Sequence, residues 1–249
     1  MNNKIIASVS PEFIPKNPDQ TLNEIYDSIW QSSKSKILNQ KLDFDPYLKD
    51  NLYDPRRGLT LEIDLSTNYT PQMKEILEEC KNAAPNQSWY LPKNFHLSLY
   101  SLLDFNESDQ EKTLTAELLQ KYQASIESAI SSLETFNLSL KGLLATSGTV
   151  LVKGYSQGAI QSLRNRINQE FIKRKLPTYN RTKLNHISVL RFDKPLPNPD
   201  KFCEFIEKNK ETFLGNIHVK SVKLVINDYY NDPAKTMLLK EYNLKKSEF

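Results

Sequence analysis

The apolar positions change period several times along the chain, and each change marks a predicted element. Leu59-Thr60-Leu61-Glu62-Ile63-Asp64-Leu65 alternates with period two, as a half-buried strand does. Thr70-Pro71 then supplies an N-cap and a first-turn proline for a helix reaching residue 84. Residues 95–102 predict the next strand. Residues 108–134 predict a long helix, with Leu114, Leu118, Ile126, Ile130 and Leu133 at helical spacing. Strands follow at 136–144 and 149–152, an amphipathic helix at 156–174 and a strand at 184–192. A helix at 199–213 precedes strands near 217–227 and 237–242. Residues 1–57 hold Pro11, Pro15, Pro18, Pro46 and Pro55 around one helical segment at 21–40, and read as an N-terminal extension packed on a core that occupies 58–249.

The order repeats. Strand, helix, strand, helix, strand runs once from Gly58 and again from Gly148, which predicts two related lobes at about 58–147 and 148–249. The histidine strand of the first unit carries His96-Leu97-Ser98, and its counterpart carries His186-Ile187-Ser188. His96 lies 38 residues after Gly58, and His186 lies 38 residues after Gly148. Residues i and i+2 of a strand share a face, so each triplet presents an imidazole beside a hydroxyl. By the same rule Tyr100 is expected on the face of His96 and Ser98.

Composition limits the reading without directing it. Hydrophobic content of 39% and charged content of 25% are ordinary for a globular protein that does not span a membrane. A net charge of +3 permits nucleic-acid binding without arguing for it. Cys80 and Cys203 stand far apart and match no zinc-ligand spacing, which favours a reducing, cytoplasmic setting. Residues 1–13 carry no apolar run long enough for a signal core or membrane span. No cofactor or metal is expected, and the chain is expected to act as a monomer. The third histidine, His218, has no ligand-spaced Cys or carboxylate beside it. The run Lys173-Arg174-Lys175 reads as a solvated helix end.

Pro92-Lys93-Asn94-Phe95-His96-Leu97-Ser98-Leu99 and Leu184-Asn185-His186-Ile187-Ser188-Val189 together resemble the paired HxS/T signatures of the 2H phosphoesterases. The resemblance covers roughly residues 59–242 and leaves the extension outside. It implies an α+β, bilobal fold with antiparallel sheets around a central cleft. It also implies metal-independent phosphodiester chemistry on RNA ends or small nucleotides with 2′,3′-cyclic or 2′-5′ linkages. One of His96 and His186 would be general base and the other general acid, with the order left open. Ser98 and Ser188 would hold the non-bridging phosphate oxygens. Tyr179 and Arg181, in the approach to the second triplet, and Trp89 and Tyr90, before the first, are candidates for phosphate contact or base stacking. Two other readings stay open: a non-catalytic RNA- or nucleotide-binding module using the same cleft, and a metallohydrolase with the histidines as ligands.

Overall fold

The computed structural model describes residues 18–49, 53–177 and 184–246. Tyr179 and Arg181 lie outside these residues. Five helices are labelled α1 (Pro18–Leu38), α2 (Pro71–Ala83), α3 (Ala116–Ile130), α4 (Ala159–Lys173) and α5 (Pro199–Asn209). Nine strands are β1 (Arg56–Asp64), β2 (Ser88–Trp89), β3 (His96–Asn106), β4 (Phe136–Ala145), β5 (Thr149–Tyr155), β6 (His186–Arg191), β7 (Phe213–Val219), β8 (Ser221–Asp228) and β9 (Met237–Asn243).

They form two antiparallel sheets, ordered β3-β1-β8-β9 and β2-β6-β5-β4-β7. The fold is α+β, and the sheets approach one another at the two histidine strands, β3 and β6. The expected repeat is visible as β3-β1 in one sheet and β6-β5 in the other. The division at residue 148 is not where the sheets divide, however. β4 from the first half joins the second sheet beside β5, while β8 and β9 from the second half join the first sheet beside β1. Each lobe is therefore built from both halves of the chain, which ties the two faces of the cleft together covalently.

Local chemistry accounts for the helix ends. Thr70 Oγ1 accepts from the Met73 amide at 3.1 Å and Pro71 occupies the first turn, so α2 begins where its cap lies. The helix expected from residue 108 is instead a 3₁₀ turn and a four-residue helix, Gln110–Thr113, followed by a fresh start at α3. Thr115 is the reason: its hydroxyl accepts from the Leu118 amide at 3.2 Å and caps a new helix axis.

Helix α1 buries Leu22, Tyr26, Trp30 and Ile37 against the second sheet and α5. Tyr26 donates to the Asn185 carbonyl at 2.5 Å, and Trp30 donates to Glu207 at 2.5 Å. The described part of the extension is thus continuous with the core. The core strand itself begins at Arg56, two residues before the expected boundary.

Candidate active site

The cleft between the sheets is a cavity of about 610 Å³ lined by His96, Ser98, His186 and Ser188, with Ser101, Arg191, Tyr90, Tyr229, Thr60 and Asn227 around them. Both triplets therefore open on one space, as the pseudo-symmetry requires. Tyr100 does not. It is 1% exposed, its ring packs edge-on against Phe171 at 5.4 Å, and its hydroxyl points to Asn168 at 3.4 Å.

A β-bulge causes the difference. In the β1–β3 ladder Glu62 pairs with Ser98 and Leu61 with Tyr100, which leaves Leu99 as an extra residue. In the β5–β6 ladder Leu151 pairs with Ser188 and Val150 with Leu190, which leaves Val189 extra. Each bulge follows its serine directly and shifts the inward face by one position. Ser101 and Arg191, five residues after the histidines, then face the cleft, while Tyr100 and Leu190 turn into the core. The bulges are held by outside donors. Arg164 Nε donates to the Leu99 carbonyl at 2.8 Å, and the Tyr90 amide donates to the Val189 carbonyl at 3.0 Å.

The histidines are oriented by their own strands. His96 Nδ1 lies 2.9 Å from the Asn94 carbonyl; a carbonyl only accepts, so Nδ1 carries the proton and Nε2 is left for the cleft. The Leu184 carbonyl, also two residues back, faces the His186 ring, but it is already engaged by Arg164 Nη2 at 2.9 Å. Among the described residues His186 Nδ1 accordingly makes no full hydrogen bond. Burial, then the positive charges at His96, Arg164 and Arg191, lower the His186 imidazole to about 4. Among the described residues the Ser98 and Ser188 hydroxyls have no hydrogen-bond partner, so both are available to a ligand.

Charge in the cleft is unevenly committed. Arg56 is held by Asp45 at 2.9 Å and Asp54 at 2.7 Å and stacks over Tyr229 at 3.8 Å. Arg57 is paired with Glu107 at 3.0 Å. Arg191 instead meets only tyrosines, the Tyr90 hydroxyl at 3.4 Å and the Tyr229 ring at 4.6 Å, and no carboxylate among the described residues. Alternation without a bulge misses it; the run of two buried residues after each HxS is the signal that would have found it.

Tyr90 also walls an adjoining pocket of about 300 Å³, which contains Trp89, Leu91, Lys93 and Tyr230. His218 lies away from the cleft on β7, 3.1 Å from Asn137. Among the described residues no three His, Cys, Asp or Glu side chains gather as a metal site would require. No helix among them is long and apolar enough to cross a membrane.

Two sheets that each present an HxS strand to a shared cleft define the 2H phosphoesterase class. Within it, the profile of the AKAP7 2′5′ RNA ligase-like domain matches residues 61–234, and the chain belongs to that family. Similar solved structures include one described only as a phosphoesterase, at 18% identity and TM-score 0.51, covering 77% of this chain and 99% of that one. The protein TT0787 of Thermus thermophilus aligns at 17% identity and TM-score 0.50, over 77% of this chain and 100% of that one. E. coli LigT complexed with 3′-AMP aligns at 17% identity and TM-score 0.50, over 76% and 98% respectively. These likenesses show the shared fold. No curated protein sequence matches.

Proposed function

We propose that the cleft is a metal-independent phosphodiesterase site for 2′,3′-cyclic or 2′-5′ linkages at RNA ends or in small nucleotides. The observation that carries this reading is the convergence of two imidazoles and two hydroxyls on one cavity, beside an arginine, the hydroxyls unengaged and the arginine without a carboxylate among the described residues. One histidine accepts the proton of the attacking oxygen and the other donates to the leaving one; each such transfer is worth on the order of 10²–10⁴-fold. Ser98 and Ser188 donate to the non-bridging oxygens, and Arg191 neutralises their growing charge. The family name supports a ribose-linked phosphodiester, and E. coli LigT, a structural neighbour, accommodates 3′-AMP.

Tyr90 supplies a face for a nucleobase, and the pocket beyond it offers Trp89 for a second one. Tyr179 and Arg181, outside the described residues, are proposed for phosphate contact or base stacking. The testing experiment is a product-resolved assay in chelator on 2′,3′-cyclic nucleotides, 2′-5′ dinucleotides and 3′-5′ RNA ends. Turnover of a cyclic or 2′-5′ substrate with EDTA present is expected. Turnover that needs added metal would replace this mechanism with a metallohydrolase, and tight binding without any turnover would make the cleft a binding module.

A further inference from the structure

Arg191 is held by rings and not by acids among the described residues, and the contacts behind those rings lead out of the core. Arg191 ends β6 in the second sheet, and Tyr229 follows β8 in the first. The guanidinium of Arg191 over the Tyr229 ring, at 4.6 Å, therefore joins the two sheets at the cleft. The same ring carries Arg56 at 3.8 Å, and Arg56 also lies over Tyr47 at 4.5 Å. Tyr47, Arg56, Tyr229 and Arg191 thus alternate ring and guanidinium in one series, each step within the roughly 6 Å reach of a cation–π contact.

The two guanidiniums differ in what neutralises them. Arg56 Nη2 donates to Asp45 at 2.9 Å, to Asp54 at 2.7 Å and to the Tyr230 hydroxyl at 3.2 Å. Clamped in this way, Arg56 lines the cleft but has no charge to spare for a phosphate. Arg191 keeps its charge, because a ring and a phenol oxygen attract a guanidinium without neutralising it. A carboxylate in their place would compete with the substrate anion.

The outer end of the series belongs to the N-terminal extension. Asp45 and Tyr47 lie ahead of residue 61, where the family match begins. Their segment touches both sheets: the Asp43 amide donates to the Ser147 carbonyl in the β4–β5 turn at 2.9 Å, and Asp45 pairs with Arg56 at the start of β1. A single helical turn, Pro46–Lys49, begins there, with the Tyr47 amide donating to Asp45 Oδ1 at 3.1 Å. Asp45 thus fixes the backbone of Tyr47 and the guanidinium under its ring together. Tyr47 itself lines neither the cleft nor the adjoining pocket.

We propose that Asp45 and Tyr47 of the extension are positioning residues for the substrate phosphate, holding the Arg191 guanidinium at the cleft through Arg56 and Tyr229 before substrate arrives. The inference rests on the role given to Arg191 in the phosphodiesterase reading and deepens it. An unrestrained arginine loses rotamer freedom when it binds an anion; the series imposes that loss on folding, so less remains to be lost on binding. The extension then takes part in the site without touching the substrate.

The test is a double-mutant cycle read by calorimetric binding of 3′-AMP to the full chain, with Tyr47→Leu and Arg191→Met made singly and together. Tyr47→Leu is expected to weaken binding roughly 2- to 30-fold in the chain that keeps Arg191, and by less than about twofold in the Arg191→Met background. Tyr47→Phe, which keeps the ring, should bind as the wild type does. Equal losses in both backgrounds overturn the proposal, as does an unchanged affinity in Tyr47→Leu. Wild-type binding no tighter than that of Arg191→Met overturns it as well. Should Tyr47→Leu not fold, Asp45→Asn, which loosens Arg56, enters the same cycle with the same expectation. Since 3′-AMP contains no phosphodiester, failure of the phosphodiesterase reading would appear as an inactive protein in the chelator assay with the dependence on Arg191 intact.

Discussion

Arg191 stands between the Tyr90 hydroxyl and the Tyr229 ring with its charge uncommitted to any described carboxylate. A charge-assisted hydrogen bond is worth about 1.5–3 kcal/mol, so Arg191→Met should lower kcat/KM by roughly 10- to 150-fold while leaving the melting temperature close to wild type. Tyr100→Phe should keep turnover within about twofold, because its hydroxyl faces Asn168 in the interior. A large loss in that variant would contradict the bulge. At this scale the sequence showed the histidines and serines plainly, since i and i+2 share a strand face over two steps. It misplaced Tyr100 and hid Arg191, because one extra residue reverses the alternation and leaves no mark beyond two adjacent buried side chains.

The bulges are the elements on which the site depends, and each is stabilised from outside its own strand. Arg164 satisfies the Leu99 carbonyl, and the chain at Tyr90 satisfies that of Val189. Helix α1 adds a third support, with Tyr26 reaching the Asn185 carbonyl just before β6. Removing residues 1–40 should therefore expose the apolar face that Leu22, Tyr26, Trp30 and Ile37 cover. The truncated chain is expected to be poorly soluble, which a sedimentation assay of the soluble fraction would show. Trp30→Ala should cost about 3–5 kcal/mol in urea unfolding. Period and capping made most elements legible: Thr70-Pro71, the strand at β1 and the amphipathic α4 stand where the pattern puts them. The long helix expected from residue 108 failed because helical spacing continues through Thr115, whose capping hydroxyl starts a new helix.

The whole molecule is a pair of interlocked units, with β4 and β8 each crossing to the other sheet. The repeat was readable from element order and from the equal offsets of the two triplets. The exchange was not, since it depends on which sheet edge a strand finds after its helix, a long-range choice with no local signal. This architecture half-buries a basic side chain at His186 on the cleft wall, with a consequence for stability. The folded His186 is lowered to about 4, against about 6.5 unfolded. Between those values the unfolded chain binds a proton that the folded chain refuses, so stability falls as pH falls through that window. The loss reaches roughly 3 kcal/mol below pH 4, and His186→Asn should abolish that part of the acid sensitivity in denaturant titrations at pH 7 and pH 4.5.

The central claim is that His96 and His186 act as one catalytic unit on a phosphodiester. The most direct measurement is single-turnover cleavage of a 2′-5′ dinucleotide in EDTA by the wild-type protein, His96→Ala, His186→Ala and the double variant. Each single substitution should lose on the order of 10²–10⁴-fold, and the double little more, because removing either half already disables the unit. Wild-type rates in either single variant, or losses that multiply in the double, would contradict it.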